Sequence, residues 1–516
     1  MKKVIALICF LSLGILWAQA QKKIYFEADL LEYDEAIMPD VDRYSGNVRF
    51  SHGETVGYCD RANHNRATNQ LFAFCDNGKL VHIHVNDSVT LYGEYLIYDG
   101  NLRTVSIARQ VVLKDNSAAL YTDSLVYDIN GEVGYYLTGG KMVSEDNVLT
   151  SIVGNYYTNE NMAYLRDSVK LVNDTYTATC QSASYNTQTE IAYFTSRTHL
   201  VSDDNEIYTD RGWYNTHENI TLLNGNAELF NKERNLSGDS LYYEKDNGYG
   251  QAWNNVQMVD SVNHFIVQGN YIEYIDSNYV LVTDSSVLIA IDEGDSLFLH
   301  ADTLWMMFDT TNNPDDFFAY NHVKFFRNDL QGACDSMTFH VADSVITMFY
   351  NPIVWTGENQ LTSDTIFFYI IDSSSMDLVL SHSAFIVSSI FQETEFNQMK
   401  GSLIKGQIRD KQLLKVDVIG NAESLYYIQE EDSSLIGINS ALASEMRIVL
   451  EDNEIKTITF YNNTDGKVYP DAELDQKDRL LKNFRWLKTY RPKGKKDIFI
   501  MPVERSAKEE KIINDE

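Results

Sequence analysis

Thr122-Asp123-Ser124-Leu125-Val126-Tyr127 is one copy of a pattern that returns about every thirty residues: a small residue and an acid, then an apolar and an aromatic position, each two further on. Earlier copies read Ala28-Asp29-Leu30-Leu31-Glu32-Tyr33 and Gly93-Glu94-Tyr95-Leu96-Ile97-Tyr98. Later ones read Gly238-Asp239-Ser240-Leu241-Tyr242-Tyr243, Gly269-Asn270-Tyr271-Ile272-Glu273-Tyr274 and Ala301-Asp302-Thr303-Leu304-Trp305-Met306. Cys334-Asp335-Ser336-Met337-Thr338-Phe339 and Ser363-Asp364-Thr365-Ile366-Phe367-Phe368 close the series. With weaker copies placed at Asp60, Asn155, Gln181 and Asp210, the anchor spacings are 31, 34, 29, 32, 26, 29, 29, 31, 32, 33 and 29. A period on this scale marks stacked supersecondary units that share one continuous core.

Residues 24 to 370 alternate with period two and are punctuated by Asn, Asp, Gly and Ser, so the units are strands and turns. No segment carries a helical apolar stripe. The acid, the Leu and the Tyr of each anchor are two apart and are expected on one side of their strand. A second strand recurs between anchors, as in Gly46-Asn47-Val48-Arg49-Phe50 and Gly225-Asn226-Ala227-Glu228-Leu229, giving about two strands and two turns per repeat. The rhythm loosens around 371 to 400, and Gly420-Asn421-Ala422-Glu423-Ser424-Leu425-Tyr426-Tyr427 fuses both signatures. The expected organisation is a signal peptide at 1–20, a repeat region of two or more modules at 21–370, a second β module at 371–475, and a basic segment and tail at 476–516.

Lys2 and Lys3, the apolar run from Val4 to Trp17 and Ala18-Gln19-Ala20 form a secretory signal peptide with its cleavage site. Cys9 lies within the apolar run, which argues against a lipoprotein anchor. The mature chain is expected to be exported, soluble and periplasmic. Cys59, Cys75, Cys180 and Cys334 are too few for a disulfide scaffold, and whether Cys59 and Cys75 pair stays open. A formal charge of 42 − 74 = −32 argues against a nucleic-acid partner, because phosphate binding needs a basic face. From Lys477 to Lys496, however, nine Lys or Arg residues meet one acid, Asp478, with Trp486 and Tyr490 among them. Arg485, Lys488, Arg491 and Lys493 are the candidates for contact with phosphate or an acidic partner; a solvated segment that offsets an acidic chain is the equal alternative.

No catalytic constellation stands out. His82 and His84 alternate on one strand but lack a third metal ligand at a persuasive spacing. Ser402-Leu403-Ile404-Lys405 has a Ser-x-x-Lys spacing in a β context, where that motif has no helix to start. The recurring Asp residues sit beside turns, where backbone capping outweighs a calcium site. No metal, cofactor or enzymatic activity is expected.

The signal peptide, the Ala-Asp-x-Leu-x-Tyr-Asp anchors and the Gly-Asn-Val/Ala strands together resemble the LptA/OstA-like family, over about 24 to 370 and again at Gly420 to Tyr427. The resemblance implies an all-β chain of repetitive β-jellyroll, or β-taco, modules forming an elongated V-shaped groove. It also implies a periplasmic protein that carries or bridges lipopolysaccharide toward the outer membrane and contributes to outer-membrane assembly. Acyl chains would lie in the groove. Partners would be Lpt-type proteins of the inner and outer membranes, joined by edge-strand pairing, with head-to-tail self-association open. The chain is longer than a single-module carrier and lacks room for the barrel that follows this domain in the translocon protein. The candidate lining is Leu96, Tyr98, Leu125, Tyr127, Leu241, Tyr243, Ile272, Tyr274, Leu304 and Met306; the alternative is that these residues pack only against one another. Two rival readings are a polysaccharide-active enzyme on a parallel β-helix, which would concentrate acids and bases on one rung, and a ligand-free structural or adhesive β-solenoid.

Overall fold

A computed structural model describes residues 23 to 500, apart from 277, 293, 411, 431–433 and 452–453. The signal-peptide reading and the tail from 501 lie outside the described residues. Within them the regular structure is β-strand, with five short 3-10 turns and no helix long and apolar enough to cross a membrane. Neighbouring strands pair antiparallel throughout the described ladders, which removes the parallel β-helix as a frame. The chain forms two compact units, one up to Ala227 and one from Glu228, with the boundary inside the 21–370 repeat region.

In the first unit the repeat is 29 residues. Anchor positions are Glu94, Asp123, Ile152, Gln181 and Asp210, and the fifth residue of each anchor is Tyr98, Tyr127, Tyr156, Tyr185 and Tyr214. The copy placed at Asn155 is therefore three residues out of register: Ile152 holds the anchor position, and its N–H bonds the Asp167 carbonyl at 3.0 Å. An apolar residue there hides the motif from a search for acids.

A second difference concerns the Gly-Asn segments. They are not strand starts but corners in the middle of long strands. Val41–His52 runs through Gly46 and Asn47, whose φ values of +77° and +46° create a bulge against the strand Thr55–Asn65. The Asp29 N–H donates to the Gly46 carbonyl at 2.9 Å, and Asn47 Nδ2 donates to Asp29 Oδ2 at 2.9 Å. Asp210 with Gly225 and Asn226 repeats the pair of bonds at 3.0 and 2.7 Å. Glu94 with Gln110 and Asp302 with His322 build the same corner from other side chains. The bulge also shifts the alternation, so Asp123 is exposed while Leu125 and Tyr127 are buried. The anchor acid thus holds the corner rather than sharing the buried face. Turn capping falls to the residue after four of the five Tyr: Asp99, Asp128, Asn186 and Asn215 accept from two backbone N–H groups each.

Each corner turns the chain from one wall of the unit to the other. In the first unit, one wall presents an inward row in which each residue faces the next across the ladder: Phe50, Gly57, Ile83, Leu91, Leu113, Leu120, Met142, Leu149, Leu171, Ala178, Leu200 and Ile207. Eleven strand spacings make that row roughly 50 Å long. The other wall alternates tyrosines with small residues, as in Tyr98, Val105, Tyr127, Gly134, Tyr156 and Ala163. Large beside small lets the rings interdigitate without voids. In the second unit the matching row reads Leu241, Ala252, Ile272, Val282, Leu304, Ala319 and Met337.

Glycine is required where a ring lies flat on the opposite strand. A Cβ on Gly57 would stand 2.1 Å from Phe50 Cζ, and one on Gly332 would stand 2.2 Å from Phe325 Cζ. Gly57→Ala therefore destabilises the first unit by about 1–3 kcal/mol, the usual range for overpacking, while Gly78→Ala, with open space around it but a φ of +73°, costs only about 1 kcal/mol of backbone strain. Denaturant unfolding of the two variants checks the difference; equal losses would mean that the ring contact is not the constraint.

Candidate functional site

The interior between the walls is the first candidate site. The structure places all ten predicted lining residues inside it: Leu96, Tyr98, Tyr127 and Ile272 are fully buried, and Tyr274 and Met306 are the most accessible, at 7% each. Leu125, Leu241, Tyr243 and Leu304 are likewise buried. Leu96, Tyr98, Leu125 and Tyr127 lie in the first unit, and the other six in the second. Tyr156, Tyr185 and Tyr214, which the 29-residue period from Tyr98 locates directly, are also buried here but are absent from the predicted lining, as is the whole inward row of the second wall.

The tyrosine hydroxyls reach the seam where the walls meet. Tyr98 bonds His52 Nδ1 at 2.6 Å and Tyr127 bonds Thr158 Oγ1 at 2.8 Å. Tyr156 donates to Asp115, and Tyr214 donates to Asn219 Oδ1 at 3.0 Å and accepts from Asn173 Nδ2 at 3.2 Å. Burial pushes Tyr98 and Tyr127 up to about 12 and raises Tyr156 as well. Between these polar seams the interior is apolar and closed. A cavity of about 10 Å³ lies among Leu149, Val169, Leu171, Ala178, Ala192 and Phe194, and another of about 10 Å³ among Val267, Val280, Leu304 and Phe317. Sites for organic ligands run to about 300–1,000 Å³, so an apolar guest enters only where the walls part.

The second candidate site is the basic C-terminal segment, which is docked on the second unit. Gln331, Trp355, Gln360, Val387, Gln398 and Leu425 face one another in a cross-strand row, on the side opposite Val354 and Leu361. Gln360 Nε2 donates to the Arg485 carbonyl at 2.8 Å, and its Oε1 accepts from the Leu487 N–H at 2.7 Å. Gln398 does the same for Arg479 and Leu481, at 2.8 Å each. Arg491 Nε completes the series on Gln331 Oε1 at 2.9 Å. Arg479-Leu480-Leu481-Lys482 and Arg485-Trp486-Leu487-Lys488 are thus two copies of one six-residue unit, read by glutamines two strands apart.

Between the clamps, Leu487 and Tyr490 pack on Trp355, Leu481 joins the Leu425–Tyr427–Ile438 cluster, and Phe484 packs against Phe396 with tilted rings 5.0 Å apart. Of the four predicted cations, Arg485, Lys488 and Lys493 are exposed and Arg491 is half-buried on Gln331. Lys488 pairs with Glu393 at 2.6 Å and holds that carboxyl below its usual range. The glutamines left no signal in the sequence; the doubled Arg-x-Leu-Lys did.

His82 stacks with Tyr58 and Tyr92, and His84 meets Tyr58 edge-on, on the outward side of their ladder. Among the described residues no three His, Cys, Asp or Glu side chains gather as a metal site. Ser402 and Lys405 lie in the strand Glu395–Arg409. Cys59 and Cys75 are free thiols, Cys59 buried and pushed up to about 12.

Residues 21–181 match the family model described as OstA-like protein. Among solved structures the chain is similar to LptH of Pseudomonas aeruginosa, described as the LptA-homologous periplasmic component of the lipopolysaccharide transport device. That match has 17% identity, covers 21% of this chain and 78% of that one, and has a TM-score of 0.19. No curated protein matches the chain.

Two outcomes follow from this geometry. The neutral hydroxyls of Tyr98 and Tyr127 contribute stability that is fully present below the ordinary tyrosine pKa near 10 and is lost as pH rises through about 12. Tyr127→Phe then loses about 1 kcal/mol at pH 7 with the Thr158 bond but raises the alkaline unfolding midpoint; a midpoint unchanged in a pH-jump series contradicts it. Gln398→Leu removes one clamp, so exchange of the Leu481 amide accelerates at least tenfold while that of Leu487 stays within threefold, each amide bond being worth roughly 1 kcal/mol. Equal acceleration at both would show that the segment lifts as one piece.

Proposed function

We propose, from the match of residues 21–181 to the OstA-like family model, that this chain is a periplasmic lipopolysaccharide-transport protein holding acyl chains between the walls of its β-units. The observation that carries the reading is the unbroken inward row from Phe50 to Ile207, apolar at every position. An acyl chain makes no directional bonds, so it can slide along a row that offers the same surface at each rung. At the seams the hydroxyls of Tyr98, Tyr127, Tyr156 and Tyr214, which could arrest it, already have partners. Entry requires the walls to part, which breaks seam bonds worth about 1 kcal/mol net each and uncovers apolar surface that the guest must cover in turn.

Pairing with Lpt-type neighbours of either membrane, or with a second copy, would use strand edges. The strand Leu30–Tyr33 pairs with Val41–His52, and Leu30, Leu31 and Tyr33 are 51%, 57% and 48% exposed. Unpaired backbone beside exposed apolar side chains is what a partner's strand needs.

The closed interior also favours a second reading, a self-packed structural protein with no ligand. Photo-crosslinking in cells separates the two. A photoreactive residue at Tyr127, Tyr243 or Tyr274 is expected to give lipopolysaccharide adducts, and one at exposed Glu32 or at Ser240 is not. A folded, exported protein with no adduct at any tyrosine site would leave the structural reading standing.

A further inference from the structure

We propose that the docked C-terminal segment is a binding stripe for an anionic lipid surface. The proposal stands on three observations and does not rest on the transport reading. First, residues 479 to 496 hold eight Lys or Arg and no acid, in a chain of net charge −32. A cationic stripe on so acidic a protein concentrates attraction for anions at one place.

Second, the glutamine clamps fix which way that charge points. Leu481, Phe484, Leu487 and Tyr490 are turned onto the second unit, and Lys482, Arg485, Lys493, Lys495 and Lys496 are exposed. Each six-residue unit advances by two strands, so the cations recur about every 10 Å along a rigid backing. Acids facing the segment account for some of the charge. Glu393 pairs with Lys488, Glu395 and Asp471 pair with Arg479, and Asp497 accepts from the Lys493 N–H. The side chains of Lys482, Arg485 and Lys496 have no carboxylate partner among the described residues.

Third, large apolar side chains stand exposed beside those cations: Leu480 at 47%, Phe499 at 46% and Ile500 at 60%. Cations alone would suit an acidic protein. Cations with apolar tips match the boundary between headgroups and acyl chains, where the charge meets phosphate and the tips enter the hydrocarbon edge.

The test is flotation of the full-length protein with vesicles. Vesicles of phosphatidylcholine with one quarter phosphatidylglycerol should bind it at least tenfold more tightly than phosphatidylcholine alone, and 1 M salt should abolish the difference. Reversing the unpaired cations together (K482E, R485E, K496E) should weaken binding by about a hundredfold or more. All three side chains are exposed, so circular dichroism should be unchanged. Leu480→Ser with Phe499→Ser should weaken binding while keeping its salt dependence. Equal binding to the two vesicle types, or a triple reversal that binds like the parent, overturns the proposal. Binding to poly-glutamate without binding to vesicles also overturns it, in favour of an acidic protein partner. The salt titration of the unmodified protein decides the matter even if a variant misfolds.

Discussion

Everything in this molecule depends on how a strand passes from one wall to the other without losing its ladder. An antiparallel strand cannot bend sharply while every residue keeps its partner. The solution is a bulge of two consecutive left-handed residues, opposed by an anchor whose N–H and side chain bond to them. Gly and Asn tolerate that conformation best, which explains Gly46-Asn47, Gly225-Asn226 and Gly420-Asn421 at three corners. Arg109-Gln110, Asn321-His322 and His382-Ser383 adopt it too, with φ between +48° and +63°. There the anchor bonds and the continuing ladder hold residues that would not choose it.

Once corners recur at a constant interval, the interior follows. A 29-residue period puts Tyr98, Tyr127, Tyr156, Tyr185 and Tyr214 at the same height in successive repeats. The strands between them supply Val105, Gly134, Ala163 and Ala192. The result is packed tightly enough that the void among Leu149, Val169, Leu171 and Phe194 is water-sized, with the walls held by their buried apolar rows and by hydroxyl bonds at the seam.

The second unit uses its opposite face differently. There a row of alternating glutamine and apolar residues is covered by the chain's own C-terminal segment. Buried side-chain amides are costly unless both ends are bonded. Gln360 and Gln398 meet that requirement by imitating a neighbouring strand, one donor and one acceptor to residues two apart. The segment therefore has one seating, and its cations have one direction.

Much of this was legible in the residues alone. Period-two alternation, the spacing of the anchors and the turn formers specified an all-β repeat and the buried faces of Leu125 and Tyr127, because a strand's geometry sends alternate side chains to opposite sides. The basic segment with its interleaved aromatics was visible as well. Local pattern misled where a long-range contact sets the register. Ile152 serves as an anchor although it is no acid, Asp123 turns outward because a bulge shifts the alternation, and the Gly-Asn pairs bend strands rather than begin them. Nor could the residues show that Gln331, Gln360 and Gln398 form one row. They are 29 and 38 positions apart, and only the ladder register between strands brings them together. Periodicity is a property of the chain; register and the seating of the C-terminal segment belong to tertiary structure, since both depend on bonds between residues the chain keeps far apart.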